Sequence, residues 1–424
     1  MSRRSRVATA AGLLFLAAGG AAYATPLRSD PVPRPPLDES IDDELGLWTA
    51  DSALRGANLY QDTVEPENEP TEGPGPVGPP YTLDDFQALA DAGANLVQLS
   101  HPGLFTVEPP YELDGAVQEN LDRLIRYAER ADLFVAIAFR TGPGRSESAI
   151  IGDENDGSAL EESIWTDAAA QDAWVDMMRY TAQRYADNEV VVGYDPMVEP
   201  NSTDVFAGGD IKAFQAKYGG QLPDWNQLAA RITAAVREVD GKTPLLIGGN
   251  QYSAVAALPY LEPTGDDRTV YTVHHYDPFG YTHQEDGPEQ GNAYPGYELD
   301  PAAGEGEGTL KRRYLEAKAD KIAAFADKHG VPVAVTEFGV TRWNAGAARF
   351  LADQMDVFSD HGFCWALWEC DTSFGPTLQN YNAFDYKAGP DPDQVERVDN
   401  KLLAAIEARW AGDSARPSNV GFGG

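Results

Sequence analysis

Two glutamates at the ends of strand-like segments are the first candidates for chemistry. Glu337 closes an apolar segment that begins at residue 331 and contains no other acid. Glu199 ends a second apolar stretch and precedes a proline. A carboxylate at the end of a buried strand has a costly desolvation to offset. Either glutamate alone is better explained as a helix cap or an arginine partner, but two that face one opening predict a catalytic pair.

A third strand-like segment, residues 270–276, carries polar side chains that can serve the same opening. Because side chains alternate along a strand, His274 and Tyr276 share one face and His275 takes the other. We predict that His274 and Tyr276 lie at the opening, where they hydrogen-bond the nucleophile and substrate hydroxyls. We predict that His275 is a core histidine.

Two tryptophans lie at or just beyond the ends of the last two strand-like segments. Trp368 ends the segment 363–368, with Trp365 on its opposite face, and Trp343 lies just beyond the segment that Glu337 closes. A tryptophan at the opening offers a flat apolar surface to the C–H face of a sugar ring. Ordinary packing explains the same residues as well, and both interpretations stay open at this point.

The segments that must position these residues alternate between strand and helix along the chain. Eight strand-like segments are separated by stretches with helical spacing of apolar residues. The predicted strands are residues 54–59, 95–99, 133–139, 190–194, 244–248, 270–276, 331–336 and 363–368. The order predicts an α/β fold with one catalytic domain, a (β/α)8 TIM barrel, whose active site lies at the carboxyl ends of the strands.

A doubly wound open sheet is the structural alternative. It would carry a glycine-rich phosphate loop after a strand, but Gly142-Pro143-Gly144 lacks the G-x-G-x-x-G spacing and contains a proline that removes a donor. The closed barrel is therefore favoured.

The amino-acid composition limits the classes of partner that the protein can bind. The 424 residues include 67 acidic and 32 basic ones, which gives a formal net charge of −35. Nucleic acids and anionic membranes are polyanions, so the charge argues against both and favours a neutral substrate. With two cysteines, the chain is not a disulfide-stapled scaffold.

The two ends of the chain predict processing and mobile segments. Residues 1–24 combine a basic start, an apolar run and Ala22-Tyr23-Ala24, which is typical of a signal peptide. We expect a Pro/acid-rich linker over residues 25–45, the catalytic domain over 46–412 and a flexible tail over 413–424. These segments predict a secreted or periplasmic protein, with an uncleaved anchor as the alternative, and we expect the protein to be a monomer.

Together the motifs resemble those of glycoside hydrolase family 5, the cellulase family of clan A. The resemblance covers residues from about 46 to 410. The matching motifs are Leu54-Arg55-Gly56-Ala57-Asn58, Val198-Glu199-Pro200, His274-x-Tyr276, Thr336-Glu337-Phe338-Gly339 and Trp368. It implies a (β/α)8 barrel, a retaining mechanism, no cofactor and no metal. It also implies a β-linked glycan substrate of the β-1,4-glucan or mannan type.

The resemblance assigns Glu199 as the acid/base and Glu337 as the nucleophile. The substrate-binding residues that we predict are Asn58, Gln98, Arg140, His274, Tyr276, Trp343 and Trp368.

Three positions depart from the family pattern. Val198 stands where the family has an asparagine that holds the sugar 2-hydroxyl, Gln98 where it has an arginine, and Arg140 where it has a histidine. We hypothesise that Arg140 replaces the missing arginine as a hydrogen-bonding cation near the nucleophile.

Two functions of other classes remain as alternatives. The three departures favour a non-catalytic glycan-binding protein on the same barrel. A metal-dependent hydrolase would use His101, His274, His275 and His283 with nearby acids, although the chain has no H-E-x-x-H motif.

Overall fold

The eight apolar segments form eight parallel strands that close into one barrel. The computed structural model describes residues 41–51, 53–64, 75–147, 162–284, 291–370, 400–412 and 415–420. Each strand pairs with its neighbours in the sequence, and β1 closes the barrel by pairing with both β2 and β8. The strands are β1 Arg55–Tyr60, β2 Leu96–His101, β3 Phe134–Phe139, β4 Val191–Asp195, β5 Leu245–Gly248, β6 Thr269–His274, β7 Val333–Glu337 and β8 Cys364–Leu367. The barrel prediction is confirmed, and every strand boundary falls within one or two residues of its prediction.

Helices fill the connections and cover the outside of the barrel. They are α1 Glu44–Thr49, α2 Leu83–Asp91, α3 Gly115–Ala131, α4 Ala168–Tyr185, α5 Ser202–Ala207, α6 Ile211–Tyr218, α7 Trp225–Arg237, α8 Phe279–Thr282, α9 Arg312–His329, α10 Ala347–Asp360 and α11 Lys401–Trp410. Capping residues explain where two of these helices begin or end. Thr82 and Asp85 form a capping box at the start of α2, and Gly330 ends α9 with a φ of 65°.

Two apolar layers hold the barrel together. The larger layer lies between strands and helices and contains residues such as Leu121, Trp174 and Phe350. The smaller layer fills the lower part of the barrel interior, with side chains such as Phe134 and Leu246. Since the lower interior is apolar, the polar inward-facing side chains collect near the carboxyl ends of the strands. We call that end of the barrel the mouth.

Two described segments, residues 41–51 and 415–420, close the lower end of the barrel. On the N-terminal side, α1 brings Trp48 beneath the strands, and its indole N–H donates to the carbonyl of Val192 at 2.7 Å. On the C-terminal side, Val420 packs into the same apolar layer, and Arg416 donates to the carbonyls of Gly93 and Ala94. An open lower end would leave apolar interior side chains in water. Packing of these two segments beneath the barrel is therefore favourable.

These contacts correct two predicted boundaries. The helix α1 begins at Glu44, inside the predicted linker 25–45. Residues 415–420 belong to the predicted flexible tail 413–424, yet Ala415, Arg416 and Val420 are buried. The composition of these two segments suggested mobility, because the contacts that bury them form only in the folded chain. The predicted signal peptide, residues 1–24, lies outside the described residues. Within them, no helix is long and apolar enough to cross a membrane.

Gly56 sets how closely β1 and β2 approach. A Cβ atom on Gly56 would lie 1.7 Å from the carbonyl oxygen of Leu96, its partner in the strand register. A side chain there would push the two strands apart.

We therefore expect Gly56→Ala to lower the free energy of unfolding by about 1–3 kcal/mol, the usual cost of overpacking. Urea unfolding followed by tryptophan fluorescence measures the change. The matched control is Gly115→Ala, because a Cβ on Gly115 meets nothing within 4 Å, and its expected effect is below about 1 kcal/mol. Equal stability of the two variants would contradict the role given to Gly56.

Candidate active site

The two predicted catalytic glutamates reach the mouth from different backbone environments. Glu337 is the last residue of β7 and is buried. Glu199 does not end a strand, as the sequence suggested, because β4 stops at Asp195. It lies in the loop beyond β4 with a φ of 53°, in the left-handed region that side chains other than glycine seldom adopt. This turn directs the chain away from the strand while the carboxyl stays over the mouth.

His274 joins the two carboxyls. One oxygen of Glu199, one oxygen of Glu337 and a ring nitrogen of His274 all lie within 4.8 Å of one another. The Nδ1 atom of His274 is 2.8 Å from Glu199 Oε1 and 3.4 Å from Glu337 Oε2. The hydroxyl of Tyr276 donates to Glu337 Oε2 at 3.0 Å. Four of the predicted site residues thus form one connected cluster.

Strand β6 and the residues after it supply the histidine and the tyrosine. His274 is the last residue of β6, and a shift in register pairs it with Glu337. The chain continues past the strand to Tyr276 with the same alternation, so both side chains face the carboxyls. The ring of His275 points outward instead, where it meets Gln354 of α10. The predicted alternation of these three residues therefore matches the structure.

Arg140 and aromatic rings form one wall of the mouth. The guanidinium lies 4.9 Å from the centre of the Tyr60 ring and 5.4 Å from that of Trp368. It is also paired with Glu147, whose Oε1 accepts from Arg140 Nε at 2.7 Å. The carboxylate of Glu337 lies close enough to stabilise the arginine charge. The hypothesis that Arg140 is a cation near the nucleophile agrees with this placement.

Two of these wall residues, Tyr60 and Glu147, were not predicted from the sequence. Tyr60 lies two positions after Asn58 on the same strand, so alternation along β1 could have identified it. Glu147 lies in a loop after β3, and nothing in its local sequence marks it as the partner of Arg140.

Asn58 and Gln98 lie deeper than the surface of the mouth. Both are fully buried and are neighbours in the strand register. The amide nitrogen of Asn58 donates to the carbonyls of Thr336 at 2.9 Å and Leu367 at 3.3 Å. These carbonyls directly precede Glu337 and Trp368 in the chain, so Asn58 supports the strands that carry them and does not itself face the open cleft.

Trp343 also differs from its predicted placement. It is buried, its indole N–H donates to the carbonyl of Gln284 at 2.7 Å, and the Arg342 guanidinium lies 5.0 Å from its ring centre. The residue therefore anchors the loop after β7 to the loop after β6. The burial of this side chain favours ordinary packing, one of the two interpretations that the sequence had left open.

The opposite wall of the mouth carries an exposed aromatic side chain. Phe279 is 56% exposed, and its ring stacks on His283 with the centres 4.3 Å apart. Tyr276 lies against both rings, at 6.3 Å from Phe279 and 5.4 Å from His283. An apolar ring face is thus available to a ligand beside the tyrosine that binds Glu337.

Burial and mutual charge control the protons in the cluster. Burial alone would lower the pKa of His274, but the two carboxylates outweigh it and raise that pKa to about 9. Burial raises the pKa of Glu337 to about 7, and the negative charge of Glu199 adds to the rise. Burial also acts to raise the pKa of Glu199, but the hydrogen bond and charge of His274, with Arg140 and Arg145, hold it below its usual value. Up to about pH 7 the two carboxyls therefore retain one shared proton, mostly on Glu337, beside the imidazolium of His274.

The four histidines of the metal hypothesis do not converge. His101 is engaged by the carbonyl of Pro102 at 2.7 Å, and the ring of His275 points out of the barrel. His283 is held by Thr282 and stacked on an aromatic ring. In the described residues, the group that could ligate a metal is the Glu199–His274–Glu337 cluster itself. Its Nδ1 atom already bridges the two carboxyls.

Comparison with known proteins points in the same direction as the geometry. The family description "Cellulase (glycosyl hydrolase family 5)" matches residues 62–373. Endoglucanase C of Acetivibrio thermocellus is 26% identical over 210 residues, which are 48% of this chain and 52% of that protein. Probable glucan 1,3-beta-glucosidase A of Aspergillus fumigatus is 30% identical over 203 residues, 47% of this chain and 43% of that protein. The chain spans about half the length of these curated relatives.

Solved structures share the fold. Endoglucanase Cel5A from Thermotoga maritima superposes with a TM-score of 0.58 at 19% identity, covering 86% of this chain and 99% of that chain. At this level of identity the likeness establishes the (β/α)8 architecture alone.

The coupling between the two carboxyls can be measured directly. We expect Glu199→Gln to lower the pKa of Glu337 from about 7, because the substitution removes the negative charge that opposes ionisation of Glu337. Carbon-13 NMR of the labelled glutamate carboxyls across a pH titration detects the change. Asp195→Asn serves as a control, since Asp195 is also a buried carboxyl near Glu199 but lies outside the Glu199–His274–Glu337 cluster. An unchanged pKa of Glu337 in Glu199→Gln would contradict the coupling.

Proposed function

The chain belongs to the cellulase family, glycosyl hydrolase family 5, and we propose that it is a retaining glycoside hydrolase acting on β-linked glycans. The observation that carries the proposal is the spacing of the carboxyls, because an oxygen of Glu199 and an oxygen of Glu337 lie within 4.8 Å of each other. Retaining enzymes hold their carboxyls about 5–5.5 Å apart, whereas inverting enzymes leave about 6.5–9.5 Å for a water molecule. The spacing favours direct attack by one carboxylate.

The reaction then proceeds in two balanced steps. The carboxylate of Glu337 forms a bond to the anomeric carbon as the glycosidic C–O bond breaks, and Glu199 gives its proton to the leaving oxygen. In the second step Glu199 takes a proton from water, the water oxygen attacks the anomeric carbon, and the ester to Glu337 breaks. Tyr276 donates to Glu337 Oε2, which orients the nucleophile and stabilises its negative charge.

His274 can move protons between the two carboxyls, so that the protonation state of the free site becomes the one that this mechanism requires. In the free site the shared proton favours Glu337, but attack requires Glu337 to be ionised and Glu199 to be protonated. Since Nδ1 of His274 faces both carboxyls, it can give its proton to Glu199 and take the one on Glu337, leaving the total charge unchanged. Positive charge that develops at the anomeric carbon favours the same shift by stabilising an ionised Glu337.

We propose a neutral β-glucan of the β-1,4-linked type as the substrate, with mannan as the second choice. The names of the relatives, the endoglucanase and the glucan 1,3-beta-glucosidase, support a glucan. The net charge of −35 disfavours a polyanionic substrate. Phe279, which is 56% exposed, offers an apolar ring face to a sugar, whereas Trp368 on the other wall is buried beside Arg140. We further propose that the protein is secreted or periplasmic, on the basis of the signal-like sequence of residues 1–24.

Glu337→Gln tests the hydrolase against the non-catalytic alternative. We expect the wild type to release reducing sugar from a panel of β-glucan, mannan and xylan, and the variant to lose about 10⁴-fold or more of this activity because the nucleophile is gone. Colorimetric assay of reducing ends gives the rates. Wild-type protein that binds a glycan without releasing sugar would support the binding protein instead. Activity that a chelator abolishes would support the metal hypothesis.

Glu199→Ala tests the assignment of the acid/base. With aryl glycosides, we expect kcat/KM to fall about 10²–10⁴-fold for a poor leaving group such as phenol. For 2,4-dinitrophenol we expect little change, because that leaving group departs without protonation. Equal losses with both leaving groups would contradict the role of Glu199.

The shared proton predicts the pH dependence. Cleavage of the phenyl glycoside requires that proton, and the pair loses it as the pH rises through about 7, so kcat/KM should fall by about tenfold per unit above that pH. The acid side should fall only below the usual glutamate range, because the pKa of Glu199 is lowered. For the 2,4-dinitrophenyl glycoside the fall above neutral pH should be absent. An alkaline fall of equal size with both substrates would show that it does not arise from the acid/base proton.

A further inference from the structure

The backbone at Glu199 adopts a conformation that other contacts must maintain. A residue other than glycine in the left-handed region is strained and persists only where its surroundings enforce it. Pro200 follows Glu199 and has no N–H to offer a neighbour. On the other side, the N–H of Val198 donates to the carbonyl of Phe139 at 2.8 Å. That bond ties the segment to β3, but it leaves the carbonyls of Val198 and Glu199 to be satisfied by another group.

Arg145 binds both of these carbonyls. Its Nη1 donates to Val198 O at 2.6 Å, and its Nη2 donates to Glu199 O at 2.8 Å. The same Nη1 lies 3.1 Å from the carbonyl oxygen of Arg140. One guanidinium therefore connects the start of the loop after β3 to the segment that carries Glu199. The side chain is fully buried, so these contacts do not compete with water.

A second layer of buried groups holds Arg145 in place. Its Nε lies 3.4 Å from Glu162 Oε2, and both side chains are shielded from solvent. The other oxygen of Glu162 accepts from Asn201 Nδ2 at 3.0 Å, and Asn201 Oδ1 accepts from the indole N–H of Trp165 at 3.0 Å. Glu162 thus compensates the charge of Arg145, and its neighbours fix the orientation of Glu162. A buried guanidinium left without such an opposite charge would be strongly destabilising.

We propose that Arg145, seated on Glu162, is the positioning residue of the acid/base: it holds the carbonyls of Val198 and Glu199 and so aims the Glu199 carboxyl at His274 and the glycosidic oxygen. The proposal rests on the proposed function, since it names the residue that makes the assigned acid/base effective. Arg145 touches neither the Glu199 carboxyl nor the Glu337 carboxyl, so its hydrogen bonds act on the reaction through the backbone of Glu199.

The shape of the guanidinium explains why arginine occupies this position. Two carbonyls on adjacent residues need two donors held in a rigid plane, which an arginine provides and a lysine does not. The arginine charge also contributes to the low pKa of Glu199, together with His274. A lysine at this position would keep the charge beside Glu162 and lose the two-donor geometry.

The test compares two aryl glycosides in Arg145→Lys. We expect kcat/KM for the phenyl glycoside to fall about 10- to 100-fold, the range expected when a catalytic group is misplaced by about 1 Å. For the 2,4-dinitrophenyl glycoside the change should stay within about threefold, because its first step needs no acid. If the lysine variant does not fold, Glu162→Gln provides the same comparison, since it removes the charge that seats Arg145 but keeps an oxygen for Asn201.

Arg416→Lys is the matched control. Arg416 is also a buried arginine whose guanidinium donates to two adjacent carbonyls, those of Gly93 and Ala94, but it lies at the lower end of the barrel. We expect Arg416→Lys to lower the thermal unfolding temperature and to leave the ratio of the two kcat/KM values at its wild-type level. A changed ratio in this control would assign the effect to general loosening of the barrel and overturn the proposal.

Combination with Glu199→Ala separates positioning from structural damage. If Arg145 acts through Glu199, adding Arg145→Lys to Glu199→Ala should not lower kcat/KM for the phenyl glycoside further. A further loss of about tenfold or more in the double variant, or equal losses with both glycosides in the single variant, would overturn the proposal. Failure of the proposed function looks different, because then the wild type itself would release no aglycone from either glycoside.

Discussion

The burial of two carboxyls around one histidine is the constraint on which the site depends. Glu337 and His274 are buried and the Glu199 side chain is only 15% exposed, so an unpaired charge among them would cost several kcal/mol. The imidazolium of His274 compensates the charge, and its pKa rises to about 9 as a result. What remains is one proton shared by two acids whose pKa values the site pushes in opposite directions. Acid/base chemistry near neutral pH requires that kind of imbalance.

The barrel makes this arrangement possible by separating its interior into two zones. The lower interior is apolar and closed from below by Trp48 and Val420. The upper interior is polar, and the strand ends deliver Glu337 and His274 to adjacent positions in the register. Rigid strands fix these two residues, whereas Glu199 comes from a loop and needs added support. Arg145 and Glu162 are the groups placed to give it.

Three departures from the family pattern take on a physical meaning in the folded chain. Arg140 projects over Tyr60 and Trp368 and is balanced by Glu147, so a cation is present on that wall although Gln98 has replaced the usual arginine. Gln98 is fully buried below the mouth. Val198 is also buried, and what it contributes at the site is its backbone carbonyl, which Arg145 binds. The contact to the sugar that an asparagine would make at position 198 is the one feature for which we see no replacement among the described residues.

The sequence by itself determined the barrel and brought Glu199, Glu337, His274 and Tyr276 together as candidates at its mouth. Apolar periodicity located all eight strands, and alternation placed His274 and Tyr276 together and His275 apart, because both depend on short-range geometry that every strand shares. Tertiary structure alone decided how those residues are held and charged. No local sequence signal marks the left-handed turn at Glu199. The same holds for the pairing of Arg140 with Glu147 and for the hydrogen bonds of Arg145 to two carbonyls. The buried position of Trp343 and the docking of residues 415–420 likewise depend on surfaces that exist only after the chain has closed into a barrel.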